Sequence, residues 1–465
     1  MYALPHQCEF LSDAWLEEAC AFLNREVAMR KDRLKGPFCV SERFTNAPAH
    51  MKCPNNVASW AMLYDGEKVS VCRDFNPEAF LRIEGDYQAG CTAAQFVGIS
   101  APDGMKRMMQ QLACLYGKDA MRVEGKLEDP EASAIMMHLH DHMGRRTVEN
   151  PDLCHRAWRM GLSDHIREME EQGYTIVKNA LPPDFVDDVR AATLNALSQH
   201  QVISLQWMLY QAREIEILAQ NPQLMTLIDA SLGRGAVIAS LSAIRKGPGP
   251  GFIPMHTDYA HVPEPYPDFA MTGVGVWALE DWTVASGPTW IVPGSHRMRR
   301  APRPGEGHDK GVPIEMPKGS VVFFTQGVRH WQGDRTEPGE RVTLHMHFNR
   351  GILRSLEPKR IDPQMLHRNA PRLGEMLGED DWFDKMAGIG RDHVRFAHMM
   401  NLHRFTEQQK KMILEGAGAA PRVQAIPGGS PSADTKAILE CLNDGFARLE
   451  RTLERVAAPA LRAAE

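Results

Sequence analysis

The chain has 465 residues, 43% of them hydrophobic and 24% charged, with a net charge of −6 at pH 7. This length exceeds one ordinary core, so two or three domains are expected, and the acidic balance excludes a nucleic-acid-binding footprint. No apolar run is long enough to span a membrane, and the first residues lack a basic segment followed by an apolar one, so a cytoplasmic location is expected.

Residues 1–150 read as a separate α+β unit. Ser12 to Arg30 has the pattern of a helix. Ser59–Arg73 reads as a hairpin with Asp65-Gly66 as its turn, and Phe80–Tyr87 as a strand ending at a glycine step. Met105–Tyr116 has helical periodicity, and Met121–Gly144 reads as a short strand and a helix. The strand pair, the step Ile83-Glu84-Gly85-Asp86, the following helix and the second step Val123-Glu124-Gly125-Lys126 together resemble the sterol-carrier-protein-2-like fold. That resemblance implies an apolar tunnel or groove.

A second unit is expected over residues 151–415. His155–Gln172 reads as a helix, Tyr174–Leu181 as a strand, and the segment after Pro182-Pro183 as a helix opened by proline. A helical pair follows from Arg213, with Gly233 as its C-cap. From Val237 onward the chain turns to apolar, β-rich runs separated by Gly and Pro, the pattern of a sandwich or jelly roll. Residues 358–414 read as helical, 416–434 as a flexible linker, and 435–465 as an amphipathic helix with Ile438, Leu442, Phe446, Leu449 and Leu453 on one face. That last helix is expected to form a dimer contact or to pack back on the core.

The nine cysteines have no Cys-x-x-Cys spacing, which argues against a disulfide framework or a zinc knuckle. Among the remaining chemistry, His256-Thr257-Asp258 is the only His-x-Asp or His-x-Glu triplet. With 19 His and 59 acidic residues, about two such triplets arise by chance, so alone it reads better as a surface turn. Its neighbours add weight. In extended backbone, residues two apart share a face, so His256 and Asp258 reach one metal while Thr257 points away. His330 follows a predicted buried strand and offers a second imidazole. Two imidazoles and a carboxylate on one face of an iron leave positions for oxygen and a cosubstrate. Arg341 lies eleven residues beyond His330, where a guanidinium clamps a carboxylate bidentately.

His256-Thr257-Asp258, the strand around Trp277, the block Gly287-Pro288-Thr289 to Pro293-Gly294-Ser295-His296, Gly319–Phe324, His330 and Arg341 together resemble the phytanoyl-CoA dioxygenase family of Fe(II)/2-oxoglutarate oxygenases. The resemblance covers about residues 155–350. It implies an α+β multidomain protein whose catalytic core is a double-stranded β-helix, or jelly roll, with flanking helices. It further implies iron held by His256, Asp258 and His330, with Arg341 binding the distal carboxylate of 2-oxoglutarate and Trp277 and Thr289 lining the cosubstrate pocket. Two positions after the distal His the family often has a small hydroxyl residue; here it is Gln332, which changes the contacts around 2-oxoglutarate. The implied reaction uses O2, releases succinate and CO2, and hydroxylates an unactivated C–H of a small, hydrophobic or carrier-bound metabolite. Asp258 fills the position that related halogenases leave open for halide.

Other histidines compete with this assignment. His345 and His347 share one face of a predicted strand and are rival ligands. His296 reads as a loop-stabilising residue, and His138-Leu139-His140-Asp141-His142 as a solvated helix end. Two other functions stay open: a lipid-transfer protein with a structural oxygenase-like half, and a cupin-type metalloenzyme that does not use 2-oxoglutarate. The loops Val262–Pro267 and Arg299–Asp309 are expected to cover the site mouth.

Overall fold

A computed structural model describes residues 7–259, 262–325, 327–355, 362–379 and 393–416. The linker and final helix expected beyond residue 416 lie outside the described residues.

The N-terminal unit comprises β1 (Cys8–Glu9), α1 (Asp13–Arg30), β2 (Phe38–Thr45), β3 (Ala58–Tyr64), β4 (Val69–Cys72), β5 (Leu81–Asp86), α2 (Tyr87–Ala94), α3 (Gly104–Tyr116), β6 (Met121–Gly125), α4 (Pro130–Gly144) and β7 (Thr147–Val148). Side chains set the element ends. Ser12 accepts from the Trp15 N–H to open α1, and Asp86 and Asp129 do the same for α2 and α4. Asp65 accepts from the Glu67 and Lys68 N–H groups at 2.8 and 2.9 Å, while Gly66 takes a positive φ, and this turn joins β3 to β4. The sheet order is β4-β3-β2-β5-β6, antiparallel except for the parallel pair β2–β5. The space between this sheet and its helices holds Phe10, Trp15, Phe44, Trp60 and Tyr87, all buried, with neighbouring ring centroids 5.3–5.6 Å apart.

The second unit continues with α5 (Leu153–Arg159), α6 (Ser163–Gln172), β8 (Tyr174–Val177), α7 (Pro183–His200), β9 (Ser204–Leu205), α8 (Arg213–Leu218) and α9 (Pro222–Leu232). The helix expected across His155–Gln172 is broken, because Gly161 adopts a left-handed φ between α5 and α6. The strand expected to reach Leu181 ends at Val177, since Asn179 turns the chain with a positive φ. Then come β10 (Val237–Lys246), β11 (Thr272–Ala278), β12 (Thr289–Ile291), β13 (Val312–Pro313), β14 (Val321–Thr325), β15 (His330–Gln332) and β16 (Arg341–Asn349), followed by α10 (Pro363–His367), α11 (Pro371–Met376) and α12 (His393–Gly416).

These strands build a jelly roll. The major sheet has the order β8-β14-β11-β16-β10-β9, and the minor sheet β13-β12-β15. Strand alternation assigns side chains to two cores. Val274, Val276, Ala278, Ile291, Val322 and Phe324 meet between the sheets. Leu241, Trp277, Phe323, Leu344 and Phe348 point outward and pack under the helical layer that includes Leu224 and Ile228 of α9. No helix among the described residues is long and apolar enough to cross a membrane.

A buried charge cluster lies in the second unit, next to the segment that leads into it from β7. Asp229 of α9 accepts from Arg156 at 2.7 Å and Arg372 at 2.6 Å, and Glu149 faces Arg156 at 3.3 Å. Burial alone would raise the Asp229 carboxyl; Arg372 and Arg156 outweigh it and hold the group down at about 2.

Candidate metal centre

His256 and Asp258 lie on an extended segment that runs beside β15. The His256 N–H donates to the His330 carbonyl and the His330 N–H to the His256 carbonyl, both at 3.0 Å. This bridge sets the two imidazoles against each other, with centroids 4.2 Å apart. Asp258 follows two residues on, with one carboxylate oxygen 3.2 Å from His256 Nε2 and the other 3.7 Å from His330 Nε2. The three side chains offer ligand atoms that all lie within 4.8 Å of one another, the one such group among the described residues.

The ring orientations suit a metal. His256 Nδ1–H donates to the Pro254 carbonyl at 2.8 Å, and His330 Nδ1–H donates to the Val328 carbonyl at 3.0 Å. Each Nε2 is thereby left as the basic nitrogen and turned toward Asp258, the arrangement that orients and strengthens imidazole ligands. Asp258 Oδ2 is buried with no hydrogen-bond donor. Burial would raise the Asp258 carboxyl, but His330 and His256 outweigh it and hold the group ionised, well below the usual carboxylate range. Two imidazole nitrogens and an orphaned, ionised oxygen are the donor set that a divalent cation takes.

Arg341 opens β16 on the face turned into the jelly roll. Its Nε and Nη1 are buried without a partner, and its guanidinium stacks on Trp282 at 4.7 Å. Burial pushes it down to about 10, so it remains a cation at neutral pH. A buried cation with unsatisfied N–H groups is costly unless an anion meets it, so this end of the cavity fits a carboxylate.

Thr289 and Gln332 are cross-strand partners, as are Ile291 and His330. Ile291 belongs to the inner core, so Thr289, Gln332 and His330 share the inner face. Gln332 Oε1 accepts from the Phe252 N–H at 3.1 Å and so holds the strand that leads to His256. Trp277 does not line this cavity. It alternates with Val276 and Ala278 and points into the outer core under the helices, so its expected pocket role is corrected. His296 packs against Gly173 in a turn and lies outside the ligand group. His345 and His347 face the cavity without joining that group.

The helix end at His138–His142 is only partly the solvated end expected: His138 is exposed, but its neighbours are not. His142 stacks on Phe22 at 4.1 Å and meets Glu18 at 2.6 Å, while burial pushes His140 down to about 4.

Sequence reasoning missed Lys246 and Trp282. Lys246 is the register partner of Arg341 and is buried. Its signal was present in Val237–Lys246, where Ser240, Ser242 and Lys246 alternate with Leu241 and Ala243. The expected mouth loops are joined to the ligand segments. Tyr266 bonds Thr257 Oγ1 at 3.0 Å and its backbone pairs with Arg299, while Arg329, beside His330, pairs with Glu306 at 3.2 Å.

Residues 169–337 match the family model described as Phytanoyl-CoA dioxygenase (PhyH). Solved structures that align with part of the chain include HygX from Streptomyces hygroscopicus with iron bound, at 12% identity over 41% of this chain and 88% of that one, with a TM-score of 0.36. HygX with nickel and 2-oxoglutarate bound aligns at 12% identity over the same shares, with a TM-score of 0.35. SnoK, a non-heme alpha ketoglutarate dependent carbocyclase from nogalamycin biosynthesis, aligns at 21% identity over 43% of this chain and 90% of that one, with a TM-score of 0.35.

Proposed function

We propose that this chain is an Fe(II)- and 2-oxoglutarate-dependent dioxygenase that hydroxylates a C–H bond of a small molecule. The observation that carries this reading is a two-histidine, one-carboxylate cluster in the same jelly roll as a buried arginine with two unpartnered nitrogens. The match of residues 169–337 to the dioxygenase family supports it. His256, Asp258 and His330 would hold the iron, which together with 2-oxoglutarate supplies the O2-dependent oxidation that leaves succinate and CO2.

The remaining work falls to the chain's own residues. Arg341 holds the distal carboxylate of 2-oxoglutarate, and Trp282 fixes the plane of the guanidinium. Thr289 and Gln332 flank the cosubstrate on the minor-sheet side. On the major sheet, Val274, Val276, Val322 and Phe324 make the facing wall apolar, which strengthens the charge contacts between the sheets. Asp258 supplies negative charge and occupies the position a halide would need, which favours hydroxylation over halogenation. A cupin-type enzyme working without 2-oxoglutarate would leave Arg341 with no anion to hold. Purified protein supplied with Fe(II), ascorbate, 2-oxoglutarate and O2 is expected to release succinate; no succinate under any of these conditions would sink the reading.

A further inference from the structure

The Arg341 end of the jelly roll gathers more positive charge than its own residues neutralise. Lys246 closes β10 directly opposite Arg341, which opens β16, so the two side chains share the inner face. Each is only 3% exposed. Burial, then Arg341 and Arg335, loosens the hold of the Lys246 ammonium on its proton, and Arg335 acts on Arg341 in the same sense. Like charges set opposite each other across a sheet are destabilising, and burial adds to the cost.

Carboxylates of the chain do not answer this charge. Among the described residues, none forms an ion pair with Lys246 or with Arg341. Glu280 acts on Arg341 from a distance, but it accepts from Arg190 Nε at 3.2 Å and from the Val342 N–H. Asp334 acts on Lys246 likewise, but it is exposed and accepts from the Gly251 N–H at 2.8 Å. Glu337 pairs with Arg335 at 3.1 Å. The Lys246 ammonium itself donates to the Gly249 and Pro250 carbonyls at 3.2 and 2.7 Å and stands 5.7 Å from the centre of the Phe252 ring. These partners are neutral, and two carbonyls leave one of the three ammonium N–H groups over. An apolar side chain would fill this position without the electrostatic cost.

We propose that Lys246 is a second anchor for the distal carboxylate of 2-oxoglutarate, set opposite Arg341 so that both cations hold it. This inference rests on the oxygenase reading above. Arg341 supplies the planar fork and Lys246 a compact point charge. The bound anion relieves the repulsion between the two, so Lys246 costs stability in the empty protein and returns it as affinity for the cosubstrate.

The test uses the full chain loaded with Fe(II) and titrated with 2-oxoglutarate in a calorimeter without O2, so that binding is read apart from turnover. Lys246→Met is expected to weaken 2-oxoglutarate binding by at least ~tenfold, the loss of one hydrogen bond to a charged group. Fe(II) affinity should change little, and thermal unfolding without 2-oxoglutarate should come at the same temperature or higher, because one of two like charges is gone. Lys246→Gln keeps a donor for the carbonyls but no charge, and should bind 2-oxoglutarate as weakly as the methionine variant; it carries the comparison if that variant does not fold. Lys246→Arg should recover most of the affinity. Wild-type affinity for 2-oxoglutarate in the methionine or glutamine variant would overturn the proposal. So would a joint fall in unfolding temperature and Fe(II) affinity, the mark of a residue that only braces the Gly247–Gly251 bend. A wild type that holds Fe(II) but takes up no 2-oxoglutarate would instead bring down the oxygenase reading itself.

Discussion

His256 and His330 are paired across an antiparallel bridge, each donating its backbone N–H to the other's carbonyl at 3.0 Å. The candidate metal centre is therefore a feature of strand pairing. Two residues distant in sequence become neighbours because backbone hydrogen bonds set their register, and Asp258 joins them through the two-residue repeat of extended chain.

Asp258 is the one anion in the ligand group. Asp258→Ala is expected to weaken Fe(II) binding beyond the ~100-fold upper end for losing a residue that only orients a ligand, and to stop succinate release. Metal titration of the purified variant checks this, and wild-type affinity would remove Asp258 from the site.

Arg341 Nε and Nη1 are buried without a hydrogen-bond partner. Arg341→Ala should cost about 2–5 kcal/mol of 2-oxoglutarate binding, on the order of 30-fold or more in its KM, with Fe(II) binding little altered. Arg341→Lys should recover only part of this, because an ammonium lacks the bidentate fork. A 2-oxoglutarate titration of succinate release reads the outcome; an unchanged KM in the alanine variant contradicts the role.

Gly251 lies against the Gln332 carbonyl, which a β-carbon at this position would meet at 2.0 Å. Gly251→Ala should push apart the two segments that carry His256 and His330, and weaken metal binding by about 10–100-fold. Metal affinity close to wild type would mean that the bridge accommodates the methyl group.

Asp229 neutralises Arg156 and Arg372, whose side chains are both 3% exposed. Asp229→Asn should destabilise the chain by about 3–5 kcal/mol, because it leaves two buried cations under-compensated. Urea unfolding measures this, and a change below about 1 kcal/mol would mean that Glu149 and Glu375, the latter 3.2 Å from Arg372, suffice.

Glu42 accepts from Trp60 Nε1 at 2.9 Å, and burial pushes its carboxyl up to about 7 from 4.5. The folded state thus favours the protonated form. The stability this contributes is complete below pH 4.5 and is lost as pH rises through about 7. Glu42→Gln keeps an acceptor for Trp60 and does not ionise. It should match the wild type at pH 5 and exceed it by roughly 1–3 kcal/mol at about pH 9. Unfolding curves at the two pH values decide; a variant less stable than wild type at the higher pH would show that Glu42 is held ionised.

Much of the local structure could be read from residues alone. Ser12, Asp65-Gly66, Pro182-Pro183 and Gly233 act within a few residues of themselves, so the elements they start or end were legible. The same holds for His256 and Asp258, whose shared face needs only extended backbone between them. The break at Gly161 and the turn at Asn179 were not legible, since either residue also fits a continuing element.

The sequence by itself determined the chemistry: which imidazoles, which carboxylate and which guanidinium were available, and that two of them had to share a face. Tertiary structure alone decided the faces and the register. β11 is buried on both sides, so hydrophobicity carried no sign of whether Trp277 or Val276 points inward, and it was the helical layer that claimed the tryptophan. Likewise, nothing in the order of residues pairs Lys246 with Arg341, or turns His345 and His347 toward the cavity as lining rather than ligands. Those relationships are set by cross-strand register between segments about a hundred residues apart, where backbone hydrogen bonds and the packing of two cores choose one alignment.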